Sequence, residues 1–154
     1  MISLEPIPCI NIRTLTDMTT RQQVVECARS FLGTPFKHQG RLKGMGIDCA
    51  GLIIKVAHEL SISSFDFTAY SRDPDSTEMQ QYLQFHLIEA PSSQRLAGTI
   101  VHMRFVGEPK HVGILTSPTS IIHAYESIGK CVEHTLDSKW SRRIISAFDY
   151  PGVV

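Results

Sequence analysis

The spacing of apolar residues changes near Gly98, and this change limits the folds open to the chain. Before Gly98, apolar side chains recur about every 3.6 residues, which is typical of amphipathic helices. After Gly98 they alternate with polar residues at a period of about 2, as in half-buried strands. Short turns separate these strands, so successive strands are expected to pair antiparallel. The order predicts an α+β domain, with N-terminal helices packed on a C-terminal antiparallel β-sheet of about five strands.

Each predicted helix has a residue that can cap its N-terminus and an apolar stripe along one side. The helices run from Thr19 or Thr20 to Leu32, from Asp48 to about Leu60, and from Ser76 or Thr77 to before Pro91. The predicted strands cover residues 99–105, 111–116, 120–125, 130–136 and 144–148, with a turn at 107–110. Between the last two strands, Asp137 is expected to cap a short turn around Trp140.

Length and charge exclude several classes of protein. The 154 residues fit one domain over 19–154, preceded by an extended N-terminal arm at 1–18 that contains two prolines. Fifteen basic and 15 acidic side chains give no net charge, which argues against a nucleic-acid binder. No apolar run approaches the ~20 residues of a membrane span, and the N-terminus does not resemble a secretory signal. We therefore expect synthesis in a cytoplasm, with no membrane insertion.

The four cysteines are scattered along the chain, and no two of them form a CxxC pair. A zinc site and a disulfide framework are therefore not expected, and the sequence predicts no metal or cofactor. Cys27 and Cys131 are predicted to be small buried apolar groups, whereas the role of Cys9 stays open.

The stretch from Gly33 to Gly51, GTPFKHQGRLKGMGIDCAG, carries the most informative chemistry. Asp48 suits the N-cap of the second helix, which places Cys49 at the first helical position. The positive end of the helix dipole favours a thiolate there and can lower a thiol pKa to roughly 3.5–7.5. Because Asp48 opposes this effect by its negative charge, a thiolate would need a nearby imidazolium.

Two of the seven histidines could supply that imidazolium. His111 opens a predicted strand, and His123 lies twelve residues later in the next strand. A tight turn would bring both side chains to one face, where His111 could pair with Cys49 and His123 could orient His111. The alternative, that both are structural histidines, stays open on spacing alone. His102 is expected to be a structural group, and His58 and His86, which fall on predicted helices, are expected to be surface or cap groups.

The motifs together resemble those of NlpC/P60 cysteine peptidases over roughly residues 20–150. The family pattern G-T-P-Y-x-x-G-G, D-C-S-G, G-D, H-V-G-I and I-H-A has counterparts here in GTPFKHQG, DCAG, Gly98-Thr99, HVGIL and IIHAY. The resemblance implies a papain-like fold and hydrolysis of amide bonds in peptidoglycan stem peptides. It implies that Cys49 is the nucleophile, His111 the general base and acid, and His123 the third polar member.

The sequence departs from the family pattern at one position near the nucleophile. The family tyrosine that reaches the catalytic cysteine is Phe36 here, so its hydroxyl is missing. His38 or Gln39 could supply a replacement donor to the oxyanion hole, and Asp48 is a further candidate for contact with the substrate. The Cys49 backbone N–H is the donor that remains. Ala50 and Thr99 replace the family serine and aspartate and are expected to affect local packing.

The loop sequence PFKHQGRLKGMGIDC is most similar to the sequences of the phage-type branch of the family. This implies assembly in a bacterial cytoplasm and carriage on a virion or gene-transfer-particle tail, with tail hub proteins and a peptidoglycan peptide as partners. Two alternatives stay open: a catalytically weak structural tail-tip subunit, and an intracellular amidase or acyltransferase. Some side chains could also contact substrate, although a solvated face or core packing is the commoner role; these are Arg41, Lys43, Lys110, Tyr70 and Trp140.

Overall fold

A computed structural model describes residues 18–71, 76–105 and 108–154. Within these ranges, only the backbone is described for Ser76 and for residues 108–110. The predicted arm therefore lies almost wholly outside the described residues. The helices are α1 (Arg21–Arg29), α2 (Cys49–Glu59), α3 (Ser76–His86) and α4 (Ser138–Ser141). The strands are β1 (Arg41–Leu42), β2 (Gly46–Ile47), β3 (Ile88–Ala90), β4 (Ile100–Phe105), β5 (Glu108–Ser117), β6 (Ser120–Tyr125), β7 (Lys130–Thr135) and β8 (Ile144–Asp149).

Helix α1 begins as predicted but ends earlier. Thr20 caps it in a capping box, in which its hydroxyl accepts from the Gln23 N–H while the Gln23 side chain accepts from the Thr20 N–H. The helix stops at Arg29, and a turn leads to Gly33, whose φ of 82° suits glycine. Phe31 lies in this turn and is fully buried, so its apolar character extended the predicted helix to Leu32.

The α+β prediction is confirmed, with a larger sheet than expected. All pairings in the six-stranded sheet are antiparallel, in the order β3-β8-β4-β5-β6-β7. The predicted meander holds from β4 to β7. It fails at β8, which returns to pair with β4, and at β3, which adds an edge strand that was not predicted. Strand β3 has only three residues, too few to show a period.

Two smaller differences concern the loops. The basic glycine-rich loop contains the short antiparallel pair β1-β2, with Arg41 opposite Ile47. Strand β5 begins at Glu108 rather than His111, so most of the predicted 107–110 turn is strand. A register shift between Met103 and Arg104 accompanies this extension. Helix α4 forms at Trp140 with Asp137 as its N-cap, as predicted.

Apolar side chains cover both faces of the sheet. On one face, helices α1 and α2 bury the larger core, whose members include Phe31, Leu52 and Ile114. On the other face, a smaller cluster contains Met103 and Leu115, with Trp140 packed against it. Because residues alternate between the faces along each strand, a histidine in the sheet shares one of these two environments.

Candidate active site

Cys49 is the first residue of α2, as predicted. The backbone of Asp48 is extended, and its carboxylate Oδ1 accepts from the Gly51 N–H at 2.7 Å. This is the N-cap interaction expected from the sequence. Cys49 is half-buried, and Ile53, Val56 and the rest of the apolar stripe hold α2 on the sheet below it.

Asp48 accepts four hydrogen bonds from the part of the chain that the structure describes. Besides Gly51, Oδ1 accepts from Nη1 of Arg41 at 3.2 Å, while Oδ2 accepts from the Gln39 N–H at 2.8 Å and the Tyr70 hydroxyl at 2.5 Å. The residue is 3% exposed. Asp48 therefore joins the loop, helix α2 and the segment that carries Tyr70. These bonds give it a structural role. Asp48 also lines the cavity that contains Cys49, so its contact with substrate stays a prediction.

The same network corrects two further predictions. Arg41 does not face solvent: it also donates to the Phe67 carbonyl at 2.8 Å and forms an ion pair with Asp66 at 2.9 Å. Tyr70 is not a core residue: it lines the cavity beside Cys49, and Nη2 of Arg41 lies 3.0 Å from its hydroxyl. The amide of Gln39 donates to the Tyr70 carbonyl at 2.7 Å, which commits that group away from an oxyanion.

Two glycines in this region are required by close backbone contacts. A Cβ at Gly51 would lie 2.4 Å from the Gly40 carbonyl oxygen, and a Cβ at Gly40 would lie 2.5 Å from the Gly46 carbonyl carbon. These distances are shorter than van der Waals contact. The loop can pack against the start of α2 only with glycine at both positions.

His111 and His123 meet on one face of the sheet. Nε2 of His111 lies 2.5 Å from Nδ1 of His123, and both residues are buried. The predicted contact between the two histidines is therefore present. A third histidine, which the sequence analysis did not single out, extends the chain, because Nε2 of His123 lies 2.8 Å from Nε2 of His134.

Aromatic side chains surround this histidine chain. The ring of Tyr125 stacks on His123 at 5.2 Å, and the Phe105 ring contacts His111 edge-on at 5.1 Å. Trp140 contacts both His123 and His134, so its packing role agrees with the prediction. Rigid neighbours of this kind restrict rotation of the imidazoles.

Cys49 and His111 line the same cavity of about 550 Å³. A backbone hydrogen bond from Val112, the residue after His111, reaches the Cys49 thiol, which places the sulfur beside the middle of β5. Phe36 and His38 also line this cavity, and the His38 ring meets Tyr70 edge-on at 5.4 Å. His38 is thus the predicted replacement donor that faces the cavity.

Residues 61–71, which we call the aromatic segment, form another wall of the cavity. Phe65 stacks on His86 at 3.6 Å, and Phe67 stacks on Tyr82 at 4.4 Å. Nε2–H of His58 donates to the Phe65 carbonyl at 2.7 Å and anchors the segment to α2. His86, expected to be a cap or surface group, therefore lines the cavity, and His58, expected to be the same, holds the segment in place.

The prediction of a lowered pKa for Cys49 is wrong. Burial, and then the charge of Asp48, raise the pKa of the thiol to about 12. Backbone hydrogen bonds from Val112, Ala50 and Cys49 itself lower the pKa but do not outweigh burial. Burial, followed by the neighbouring His123, also holds the pKa of His111 well below 6.5. Both shifts favour a neutral thiol and a neutral imidazole in the resting pair.

We expect iodoacetamide to alkylate Cys49 more slowly at pH 7 than it alkylates the same cysteine in the guanidinium-unfolded chain. The thiolate is the reacting form, so a pKa of about 12 leaves little of it at neutral pH. The rate should rise about tenfold per pH unit up to at least pH 10. Mass spectrometry of the Cys49 peptide would follow the reaction, and a rate plateau near neutral pH would instead indicate a thiolate–imidazolium pair.

We expect acid to destabilise the fold through the buried histidines. Burial, and then His134, lower the pKa of His123 from the ordinary 6.5 to about 3. Between these values the unfolded chain binds a proton that the folded chain does not, so stability is complete above pH 6.5 and falls as pH drops towards 3. Urea midpoints at pH 7.5 and 4.5 would measure this slope. The His123→Asn variant should show a smaller slope, and an unchanged slope would contradict the assignment.

Four further residues considered in the sequence analysis are not among those that line the cavity: Cys27, Lys43, His102 and Cys131. Lys43 pairs with Glu59 at 2.9 Å, and the side chain of Lys110 lies outside the described residues. Cys131 is buried as predicted, whereas Cys27 is half-buried with its thiol 3.5 Å from Glu59. Cys9 lies outside the described residues. His102 is buried and contacts Gln80, consistent with a structural role.

Within 18–71, 76–105 and 108–154, no group of three or more His, Cys, Asp or Glu side chains could hold a metal ion. In that part of the chain, no helix is long and apolar enough to cross a membrane.

Comparison with known families agrees with this geometry. The model of the NlpC/P60 family matches residues 33–148, a range that contains Cys49, His111 and His123. The chain belongs to the NlpC/P60 family. Among curated protein sequences, none matches this NlpC/P60 domain.

Solved structures with the NlpC/P60 fold match most of this domain. The NlpC/P60 domain of the peptidoglycan hydrolase SagA is 21% identical, with a TM-score of 0.60, and the match covers 84% of this chain and 97% of that one. An NlpC/P60 family protein from Bacillus cereus is 17% identical, with a TM-score of 0.65, and the match covers 86% of this chain and 41% of that one. NlpC2 from Trichomonas vaginalis is 16% identical, with a TM-score of 0.63 and coverages of 91% and 49%. This domain therefore spans less than half the length of the last two proteins.

Proposed function

We propose that this domain is a cysteine endopeptidase that hydrolyses amide bonds in peptidoglycan stem peptides. The observation that carries the proposal is the site itself. Cys49, at the start of α2, shares a cavity with His111, and His111 contacts His123, all within the range that the family model matches. A nucleophile, a base and a residue that orients the base are the parts that acyl transfer needs. A structural neighbour described as a peptidoglycan hydrolase supports the choice of substrate.

In the proposed reaction, the Cys49 sulfur attacks the scissile carbonyl carbon while its proton moves to His111. Because the pKa of Cys49 is about 12 and that of His111 is low, proton transfer accompanies the attack and does not precede it. The tetrahedral intermediate then collapses to a thioester on Cys49, and His111 gives its proton to the departing amine. Water then attacks the thioester carbonyl while His111 takes its proton, the C–S bond breaks, and the Cys49 sulfur recovers that proton from His111 as the new carboxyl terminus is released.

The oxyanion of that intermediate needs hydrogen-bond donors. We assign the Cys49 backbone N–H as one donor and the His38 imidazole as the other, because Phe36 lacks a hydroxyl and His38 lines the cavity. The Tyr70 hydroxyl is not a substitute, since it already donates to Asp48. Loss of a single oxyanion donor typically costs about 10²–10³ in kcat, which is the range expected for His38→Ala.

We further propose that a phage-like tail carries the domain to the wall and that it is assembled in the bacterial cytoplasm. Support comes from the residue pattern PFKHQGRLKGMGIDC, which is similar to the phage-type branch of the family. Tail particles purified by density gradient should contain the chain together with tail hub proteins. Recovery of the chain from cytoplasmic fractions alone would contradict this part of the proposal.

One observation favours a second candidate function, an amidase or acyltransferase that acts on an apolar amide. Much of the cavity wall is apolar or aromatic, and it includes Ile53, Phe65, Phe67 and Met79. Such a wall could also bury an acyl chain. A stem peptide needs partners for its carboxylates, so the substrate assay should include both chemistries. The third possibility, a structural tail-tip subunit, requires that neither substrate be turned over.

The deciding experiment incubates the purified protein with muropeptides of several stem chemistries and with N-acyl amino acids. Mass spectrometry of the products would identify the bond cut. We expect muropeptide cleavage by the wild type and by Cys27→Ala, whose cysteine lies outside the cavity lining, and none by Cys49→Ala. Cleavage of the acyl amides alone would favour the amidase, and no cleavage of either would favour the structural subunit.

A further inference from the structure

We propose that His134 is a positioning residue for His111: anchored on the Thr135 carbonyl, it sets the tautomers of His123 and His111 so that Nδ1 of His111 is the proton acceptor. The role rests on the proposed function, in which His111 receives the Cys49 proton. The three histidines lie on consecutive strands, β5, β6 and β7, and their rings form one hydrogen-bonded chain.

The hydrogen-bonded row of histidines ends at the Thr135 carbonyl, a group that can only accept a hydrogen bond. Nδ1 of His134 lies 2.9 Å from the carbonyl oxygen of Thr135. A carbonyl oxygen can only accept, so Nδ1 of His134 carries the hydrogen. In a neutral imidazole the other nitrogen then has a lone pair, which makes Nε2 of His134 an acceptor.

This direction passes to the next two rings. Nε2 of His123 lies 2.8 Å from Nε2 of His134 and must donate to it. Nδ1 of His123 is then an acceptor, and Nε2 of His111, at 2.5 Å, donates to it. The remaining nitrogen of His111, Nδ1, is left with a lone pair.

The rings of His111 and His123 are buried, which is consistent with both being neutral. His123 has a pKa of about 3, and that of His111 is well below 6.5. Near pH 7 each therefore carries one hydrogen, and the carbonyl at the end of the chain decides which nitrogen holds it. Trp140 contacts both His123 and His134 and keeps the two rings in register.

The test measures tautomers directly, with ¹⁵N-labelled histidine and long-range ¹H–¹⁵N spectra of the whole chain at pH 7. In the wild type we expect the hydrogen on Nε2 of His111, on Nε2 of His123 and on Nδ1 of His134. A hydrogen on Nδ1 of His111 in the wild type would overturn the proposal. This readout needs no substrate, so it remains valid if the enzyme proves to act on something other than peptidoglycan.

Two variants separate tautomer control from packing. His134→Phe keeps a ring against Trp140 but removes the acceptor, whereas His134→Gln supplies a carbonyl oxygen that can accept from His123. We expect His134→Phe to give mixed tautomers at His111 and to lower kcat by about 10–100-fold with little change in KM. The His134→Gln variant should restore most of the single His111 tautomer and most of kcat. Equal loss in the two variants, or an unchanged His111 tautomer in His134→Phe, would contradict a positioning role.

Discussion

Replacing His111 with alanine should lower kcat for stem-peptide hydrolysis by about 10²–10⁴-fold, the usual contribution of a general base. The loss should be near the upper end of that range, because the pKa of Cys49 is about 12 and the thiol is not ionised without help. Steady-state kinetics on a defined muropeptide would measure it. The KM should change little, since His111 acts on the reacting proton rather than on substrate affinity.

The same variant gives a control on the fold. Because His111 is buried, its replacement could weaken the fold. The thermal unfolding of the His111→Ala variant must therefore be compared with that of the wild type before the kinetic loss is attributed to chemistry. If His111→Ala folds and keeps wild-type kcat, His111 is not the base.

Replacing Asp48 with alanine should lower the free energy of unfolding by about 3–5 kcal/mol, the usual cost of removing one partner from a buried charged pair. Four donors lose their acceptor at once, and one of them belongs to the guanidinium of Arg41, whose side chain is 13% exposed. Urea denaturation would measure the change. Asp48→Asn should lose less, because the amide keeps one acceptor oxygen while its NH₂ faces donors.

Asp66 provides the matched control for this measurement. It also pairs with Arg41, at 2.9 Å, but its side chain is 39% exposed. Exposed ion pairs contribute about 0–1 kcal/mol, so Asp66→Asn should be nearly neutral. Equal losses for the Asp48 and Asp66 variants would show that burial of the Asp48 network does not determine stability.

Those features of the fold that depend on local sequence were predictable. Asp48 followed by an apolar stripe located α2, and alternation located β4 to β7. The sheet order at its edge was not predictable, because β8 returns to β4 and only the three-dimensional packing selects that partner. Strand β3 and the end of α1 were missed for a related reason: Ile88–Ala90 is too short for a period, and Phe31 is apolar without being helical.

The site divides in the same way. The family motifs brought Cys49, His111 and His123 to notice, whereas Tyr70 and His134 belong to no such motif. Tyr70 lies in a segment without regular structure and reaches Asp48 across 22 positions of sequence. His134 follows His123 by eleven residues, much as His123 follows His111 by twelve. The same argument, that a tight turn brings histidines of adjacent strands to one face, could therefore have indicated the third histidine. The pKa of Cys49 was mispredicted because burial, which the sequence does not reveal, outweighs the helix N-terminus.

The most direct test of Cys49 as the nucleophile is capture of the thioester that the proposed reaction requires. Wild-type protein mixed with excess muropeptide would be quenched in acid, digested with pepsin and analysed by mass spectrometry. We predict that the peptide containing Cys49 carries an added mass equal to the N-terminal fragment of the cleaved stem peptide less one water, and that Cys49→Ala shows neither adduct nor product. Product released by Cys49→Ala, or turnover by the wild type with acyl transfer to a different residue, would contradict the assignment of Cys49 as the nucleophile.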